Sequence, residues 1–232
     1  MSVNITWLGH SAFEITTESH NIVIDPFLTG NPAAAKSPSE FKPDAIIVTH
    51  GHADHVGDTI DLAKESGATV VANFEIATWL ADKGVESTHP MHIGGQHTFP
   101  FGKVKLTIAH HGSALPDGSY GGNPCGVLLQ VGEATIFHAG DTGLFYDMTL
   151  IGEAGIDLAI LPIGDNFTMG PEDSLRAIQM LQPRAVVPCH YNTWPLIEQD
   201  ADAWAGQVRN GTTSIPVVLE PGTTHTLTLE KS

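Results

Sequence analysis

The sequence predicts an α+β protein of αββα layer order, a four-layer sandwich in which two mixed β-sheets pack face to face with helices on their outer sides. Three observations predict it. Apolar runs and amphipathic segments follow one another as β-rich, αβα, β-rich, αβα, an order that two helix-flanked sheets satisfy. The apolar runs are short, of strand length rather than helix length. No Gly/Ser-rich linker interrupts the 232 residues, so a single domain spanning 1–232 is expected.

Taken in order, Val3–Trp7, Ala12–Thr16 and Asn21–Asp25 read as three strands joined by tight turns. The Pro/Ala/Ser-rich stretch from Asp25 to Pro43 reads as a long surface loop. Ala45–Thr49 is uniformly apolar until its last residue and reads as a buried strand. Asp58–Ser66 and Glu75–Lys83 have helical patterning, with Thr69–Ala72 as a strand between them. Gly67 and Gly84 follow the two helices and stop them without a Cβ penalty. The middle is strand-rich: Gln96–Phe99, Val104–Ala109, Gly126–Val131 and Thr135–His138. Ile156–Leu161 is a further strand, followed by a helix over Pro171–Leu181. There Gly170 serves as N-cap, Pro171 pre-sets the first turn, and Glu172 and Asp173 face the positive end of the helix dipole. Leu175, Ile178 and Leu181 supply that helix with one apolar stripe. Ala185–Pro188 and a helix near Asp200–Val208 complete the pattern. The two halves share an element order, but no sequence repeat joins them.

Composition narrows the function. A hydrophobic content of 41% with 16% charged residues fits a folded enzyme rather than a disordered chain. The 10 basic and 26 acidic residues leave a formal charge of -16. Without a Lys/Arg cluster, such a surface disfavours nucleic acid and anionic membranes as partners. No apolar stretch approaches the ~20 residues that span a bilayer. The opening Met1–Thr6 lacks a basic region followed by an apolar core, so a cytoplasmic location is expected. Cys125 and Cys189 are the only cysteines, far apart in sequence, and read as buried free thiols.

The chemistry is concentrated in His50-Gly51-His52-Ala53-Asp54-His55, directly after the strand that ends at Thr49. Imidazole nitrogen and carboxylate oxygen are the ligands that divalent zinc, iron or manganese accept. Six residues with three imidazoles and one acid exceed what one tetrahedral ion needs, which points to a two-metal site completed from elsewhere. Three other strand ends carry suitable residues: His110-His111 after Val104–Ala109, Asp141 in Gly140-Asp141-Thr142-Gly143, and His190 in Pro188-Cys189-His190-Tyr191.

That series, HxHxDH followed by His, Asp and His, resembles the metallo-β-lactamase superfamily along almost the entire chain. Trp7-Leu8-Gly9-His10-Ser11, Asp25-Pro26-Phe27, Gly122-Asn123-Pro124, Gly140–Phe145 and His190–Pro195 resemble one branch of it. This is the UPF0173-type short metal-dependent hydrolases, related to the ascorbate-6-phosphate lactonase group and more distantly to N-acyl-phosphatidylethanolamine phospholipase D. The resemblance implies the αββα fold and two divalent ions, zinc first, with manganese, iron or nickel as alternatives. It places His50, His52 and one of His110 or His111 on the first ion, with His111 preferred. Asp54, His55 and His190 fall on the second, and Asp141 bridges. His10 is read as a catalytic residue that hydrogen-bonds a metal ligand or the substrate, and Asp25 as a partner that holds a ligand, each weighed against a turn-stabilising role; His138 is read as a core or supporting residue.

The function implied is hydrolysis of a small ester, lactone or phosphodiester by a metal-activated hydroxide. Asp54, coordinating through one oxygen, would take and return the proton, and Tyr191 would donate to the leaving group or bind the oxyanion, or else pack beneath its loop. The substrate is a small molecule, and the resemblance permits homo-oligomers. The glycine-rich Leu115–Pro124 reads as a lid, and Asp165–Met169 as a polar rim with one aromatic. The alternative is a non-hydrolytic metalloprotein, a di-iron redox or metal-sensing module. The low carboxylate count and the missing flavin domain weigh against it.

Overall fold

The computed structural model describes residues 2–228. The first sheet contains β1 (Val3–Gly9), β2 (Ala12–Thr16), β3 (Asn21–Ile24), β4 (Ala45–Ile47), β5 (Thr69–Asn73), β6 (Thr88–Met91) and β14 (Thr224–Leu227). The second contains β7 (Gln96–Phe99), β8 (Gly102–Ile108), β9 (Cys125–Val131), β10 (Ala134–His138), β11 (Leu158–Pro162), β12 (Ala185–Cys189) and β13 (Ile215–Pro216). The helices are α1 (Ala53–Val56), α2 (Thr59–Ser66), α3 (Phe74–Asp82), α4 (Met148–Gly152), α5 (Pro171–Leu181) and α6 (Ala201–Gly211).

Strand alternation explains the layers. Ile22, Ile24, Ala45 and Ile47 point between the sheets and pack with Val104, Leu106, Val127 and Leu129. Val23, Ile46 and Val48 point the other way and pack beneath Leu62 and Ala63 of α2 and Ile76 and Leu80 of α3. On the far side, Ala177 and Ile178 of α5 and Trp204 and Val208 of α6 belong to the same apolar cluster as β11 and β12. The helix–sheet–sheet–helix order is therefore the expected one, set by the period of two in each strand.

The two sheets share one wiring. The first runs β14-β1-β2-β3-β4-β5-β6 and the second β13-β12-β11-β10-β9-β8-β7. From β14 in one and β7 in the other, three antiparallel pairings are followed by three parallel ones. Corresponding strand ends carry corresponding chemistry. His10 and His111 follow the second strand of each sheet, and Asp25 and Asp141 follow the fourth. The two halves are thus alike in topology although their sequences no longer show it.

Helix boundaries follow their caps. Asn73 caps α3 through its side chain on the Ile76 N–H, and Asp200 caps α6 on the Ala203 N–H. Gly67 closes α2 in the left-handed conformation. Five elements escape sequence patterning: the single turn α1, β6, α4, β13 and β14. β6 and β14 are sheet edges whose polar residues Thr-His-Pro-Met and Thr-His-Thr-Leu carry little apolar signal, and β13 is two residues long. Edge strands are recruited by neighbours rather than by burial. Among the described residues, no helix is long and apolar enough to cross a membrane.

Candidate metal centre

The C-terminal ends of β1, β3, β4, β8, β10 and β12 converge on one point. The strand before the histidine motif stops at Ile47, and α1 forms a single turn inside the motif. His50 and His52 therefore precede the turn, while Asp54 and His55 ride on it. His52 occupies the cap position with extended backbone. One short motif thereby faces two places at once.

His50, His52 and His111 form the first group, with ligand nitrogens all within 4.8 Å. His50 Nε2 stands 3.0 Å from His52 Nδ1. The hydrogen-bond network assigns the tautomer of His50. Asp25 Oδ2 accepts the Thr49 hydroxyl at 2.6 Å, so Thr49 Oγ1 is free to accept His50 Nδ1–H at 3.1 Å. The Nε2 lone pair is left pointing at the group. Burial holds the His50 imidazole well below the usual histidine range, and the nearby His55 adds to this. Burial lowers His111 as well. Neutral imidazole is the form that ligates a metal.

Asp54, His55 and His190, with His10, form the second group. Asp25 Oδ2 accepts His55 Nδ1–H at 2.8 Å and so presents Nε2 to the centre. That nitrogen lies 3.3 Å from Asp141 Oδ2 and 3.8 Å from Asp54 Oδ2 but makes no hydrogen bond among the described residues. His190 Nε2 is 3.0 Å from Asp141 Oδ2 and 4.0 Å from Asp54 Oδ2. Asp141 also reaches the first group, 3.6 Å from His111 Nε2 and clustered with His50 and His55.

The residues fit divalent ions on three observations. Asp141 Oδ1 and His55 Nε2 are buried polar atoms with no hydrogen-bond partner among the described residues, a costly arrangement unless a ligand answers them. The donor set is imidazole and carboxylate, as divalent metals require. Charge also demands a cation, because Asp25 and Asp141 are 0% and 3% exposed and only histidines pair with them among the described residues. Burial works against charge on His55, but the Asp141 and Asp25 carboxylates outweigh it and raise this imidazole well above its ordinary range. Burial would likewise raise Asp141, yet His190 and His55 hold it well below the usual carboxylate range. A divalent ion answers the same demand with more charge than one imidazolium.

Asp25 and His10 settle beside this centre as holders of ligands. Asp25 accepts from Thr49 N–H at 2.8 Å, from the Thr49 hydroxyl and from His55. His10 Nε2 lies 3.2 Å from Asp54 Oδ2 and its Nδ1 lies 2.8 Å from Thr193 Oγ1. A Thr193 hydroxyl donating into Nδ1 leaves Nε2–H to donate to Asp54. Burial lowers His10 to about 4, with the Asp54 hydrogen bond opposing. His10, Asp25 and His190 all have positive φ, at 56°, 46° and 54°. Strained backbone of this kind gathers at functional sites, where surrounding structure enforces it. His138 is buried and supports the turn to Asp141. Its Nε2–H donates to the Ser11 carbonyl and its Nδ1 accepts Gly140 N–H.

Gly140 is needed for that turn. Its φ is +62°, and a Cβ there would sit 2.7 Å from the Cys125 carbonyl oxygen. Gly140→Ala is expected to lose about 2 kcal/mol or more, read as a fall in Tm of at least ~4 °C. An unchanged Tm would show that the turn is not constrained.

Three expectations need correction or refinement. Tyr191 does not line the cavity. It is buried and stacks on Trp7 with ring centroids 5.3 Å apart. Burial pushes its phenol up to about 12, with Cys189 and Asp202 adding to it. Packing, not proton donation, is what its position offers. The Leu115–Pro124 segment is no free lid. Asn73 donates to the Gly121 and Asn123 carbonyls, Ser113 to the Gly121 carbonyl, and Trp79 to Asp117. His110 is exposed beside Phe145, while His111 points at the centre, as alternation after β8 dictates.

A cavity of about 640 Å³ opens over the centre, with His52, Asp54, His111, Asp141 and His190 at its base. Phe27, Phe167, Trp194 and Leu196 form its mouth. Sequence reading left Phe27, Trp194 and Leu196 without a role, as it did Thr49 and Thr193. Phe27 and Trp194 lie inside the quoted motifs, and Thr49 is the one polar residue closing an apolar run; those were the available signals.

Comparison with known proteins agrees with this geometry. A family model described as a beta-lactamase superfamily domain matches residues 20–191. A UPF0173 metal-dependent hydrolase of Desulforamulus reducens is 55% identical over 225 residues, covering 95% of this chain and 98% of its own. The UPF0173 metal-dependent hydrolase YtkL of Bacillus subtilis is 54% identical over 215 residues, covering 90% and 94%. Among solved structures, Igni18, a metallo hydrolase from Ignicoccus hospitalis, superposes with a TM-score of 0.91 at 35% identity, covering 99% of this chain and 100% of its own. Six strand ends that gather histidines and buried acids, on a fold shared end to end with these relatives, place the chain in the metallo-β-lactamase superfamily as a UPF0173-type metal-dependent hydrolase.

Proposed function

We propose that this metal-dependent hydrolase works with two ions and cleaves a small ester, lactone or phosphodiester. The observation that carries the reading is the pair of three-ligand groups, His50/His52/His111 and Asp54/His55/His190, with Asp141 within reach of both. When bound, divalent ions supply Lewis-acid polarisation of the scissile group and acidify water toward neutral pH. Zinc suits five imidazoles and two carboxylates; manganese, iron and nickel accept the same donors.

The chain's own groups divide the remaining work. Asp141 is buried and held between histidines, so it acts as a fixed charge. Asp54 is 27% exposed in its side chain and lines the cavity. Its oxygen is therefore the acceptor that can take a proton from water and return it to a leaving oxygen. Burial would raise this carboxyl, but the hydrogen bond from His10 and the charge of His55 lower it overall, so it rests ionised. His10, anchored by Thr193, restrains its rotation. The partner is a small molecule: a formal charge of -16 and a cavity wall in which none of the described residues is Lys or Arg argue against nucleic acid.

Elemental analysis with a turnover panel of p-nitrophenyl esters, lactones and bis-p-nitrophenyl phosphate tests the reading. Two ions per chain and cleavage of at least one class are expected. A single ion, or full occupancy with no cleavage of any of the three classes, would remove it. Asp54→Asn is expected to abolish turnover. His10→Gln is expected to lower kcat about 10–100-fold, the usual cost of losing a ligand's outer partner. Wild-type kcat in His10→Gln would reduce His10 to a turn residue.

A further inference from the structure

We infer that the substrate carries an uncharged apolar arm, aromatic or medium-chain alkyl, seated in the mouth of the cavity; this rests on the hydrolase reading above. The base of the cavity is polar and belongs to the metal centre. The mouth is not. Phe27, Trp194, Phe167 and Leu196 come from three separate segments, yet all turn their side chains to the same opening. Phe167 is 51% and Leu196 69% exposed, an arrangement that folding alone does not reward. Phe167 is also held out on a turn in which Asp165 and Asn166 both have positive φ, at 61° and 47°. Trp194 lies against His10 with ring centroids 4.8 Å apart and near Phe27 at 6.2 Å, so the aromatic surface continues down to the residues that hold Asp54.

Charge points the same way. Among the described residues none that lines the cavity is Lys or Arg, and the whole chain has 10 basic residues against 26 acidic ones. A distal phosphate or carboxylate on the substrate would leave water without a cationic partner beyond the ions themselves. A substrate whose reacting carbonyl or phosphoryl group reaches the centre while an apolar arm covers the aromatic mouth loses nothing of this kind. The volume of about 640 Å³ holds such a molecule.

The test uses γ-lactams, unhydrolysed counterparts of γ-lactones, bound to the metal-loaded protein and followed by calorimetry. An ethyl arm, a hexyl arm and a hexyl arm ending in carboxylate are compared. Each methylene fully buried contributes about fourfold, so with partial burial in an open mouth hexyl is expected to bind at least ~30-fold tighter than ethyl, and the terminal carboxylate to cancel most of that gain. Leu196→Ser and Phe167→Ser, at exposed positions that do not endanger the fold, are each expected to cut the hexyl gain by about fivefold or more. Equal binding of ethyl and hexyl, tighter binding of the carboxylate, or a gain untouched by both variants would overturn the inference. The matching lactones, assayed for turnover, separate the two readings. An arm preference without cleavage leaves the apolar mouth standing and removes lactone hydrolysis; cleavage without arm preference does the reverse.

Discussion

Asp141→Asn is expected to lower kcat/KM by about 10³-fold or more and to lower the number of ions bound per chain. Asp141 is the acid placed between the groups, 3.0 Å from His190 Nε2, 3.3 Å from His55 Nε2 and 3.6 Å from His111 Nε2. The amide is nearly the same size, so packing survives. The buried negative charge that holds cations there does not, and a 10³-fold loss corresponds to ~4 kcal/mol of transition-state stabilisation. Asparagine would also aim an N–H at imidazole nitrogens that need to present lone pairs. Kinetics with elemental analysis of the purified variant check this. Retention of the wild-type ion count and of wild-type turnover would show that the two groups do not depend on a shared acid.

Asp25→Asn is expected to act at a distance, weakening metal binding 10–100-fold without removing any ligand. One carboxylate currently satisfies Thr49 N–H, the Thr49 hydroxyl and His55 Nδ1–H, all in full burial. Through Thr49 it also sets the tautomer of His50. An amide retains one acceptor oxygen and replaces the other with a donor, so at least one of these hydrogens is left unpaired. Leaving a buried group so costs about 1–3 kcal/mol, read as a Tm lower by roughly 2–12 °C in a chain of this size. Asparagine tolerates the positive φ of this position, which keeps backbone strain out of the comparison. Competition with a chelator measures the affinity, and a thermal melt measures the stability. If neither moves, Asp25 is only a turn residue.

Much of the fold was legible because strand and helix periods are local. Ile46, alternating with Ala45 and Ile47, marks a strand buried on both faces. Pro171 with Glu172 and Asp173 marks a helix start. What escaped was set by neighbours. β14 pairs with β1 through Val3–Leu227 and its following partners, a match more than two hundred residues away that no window of sequence contains. The lid expected of Leu115–Pro124 failed for a similar reason: glycine content reports the freedom of an isolated loop, and Asn73 and Ser113 take that freedom away.

The sequence by itself determined which atoms are available for chemistry and that they lie at strand ends, because ligand types are covalent facts and an apolar run stops where its polar residues begin. Only the tertiary structure decided how those atoms face. The turn at α1 sends His50 and His52 one way and Asp54 and His55 the other. Alternation after β8 turns His111 inward and His110 outward, and Trp7 draws Tyr191 into the core. Such orientations depend on handed turns, on hydrogen-bond partners such as Asp25 and Thr193, and on exclusion of water by packed layers. None of these exists until segments remote in the chain have come together.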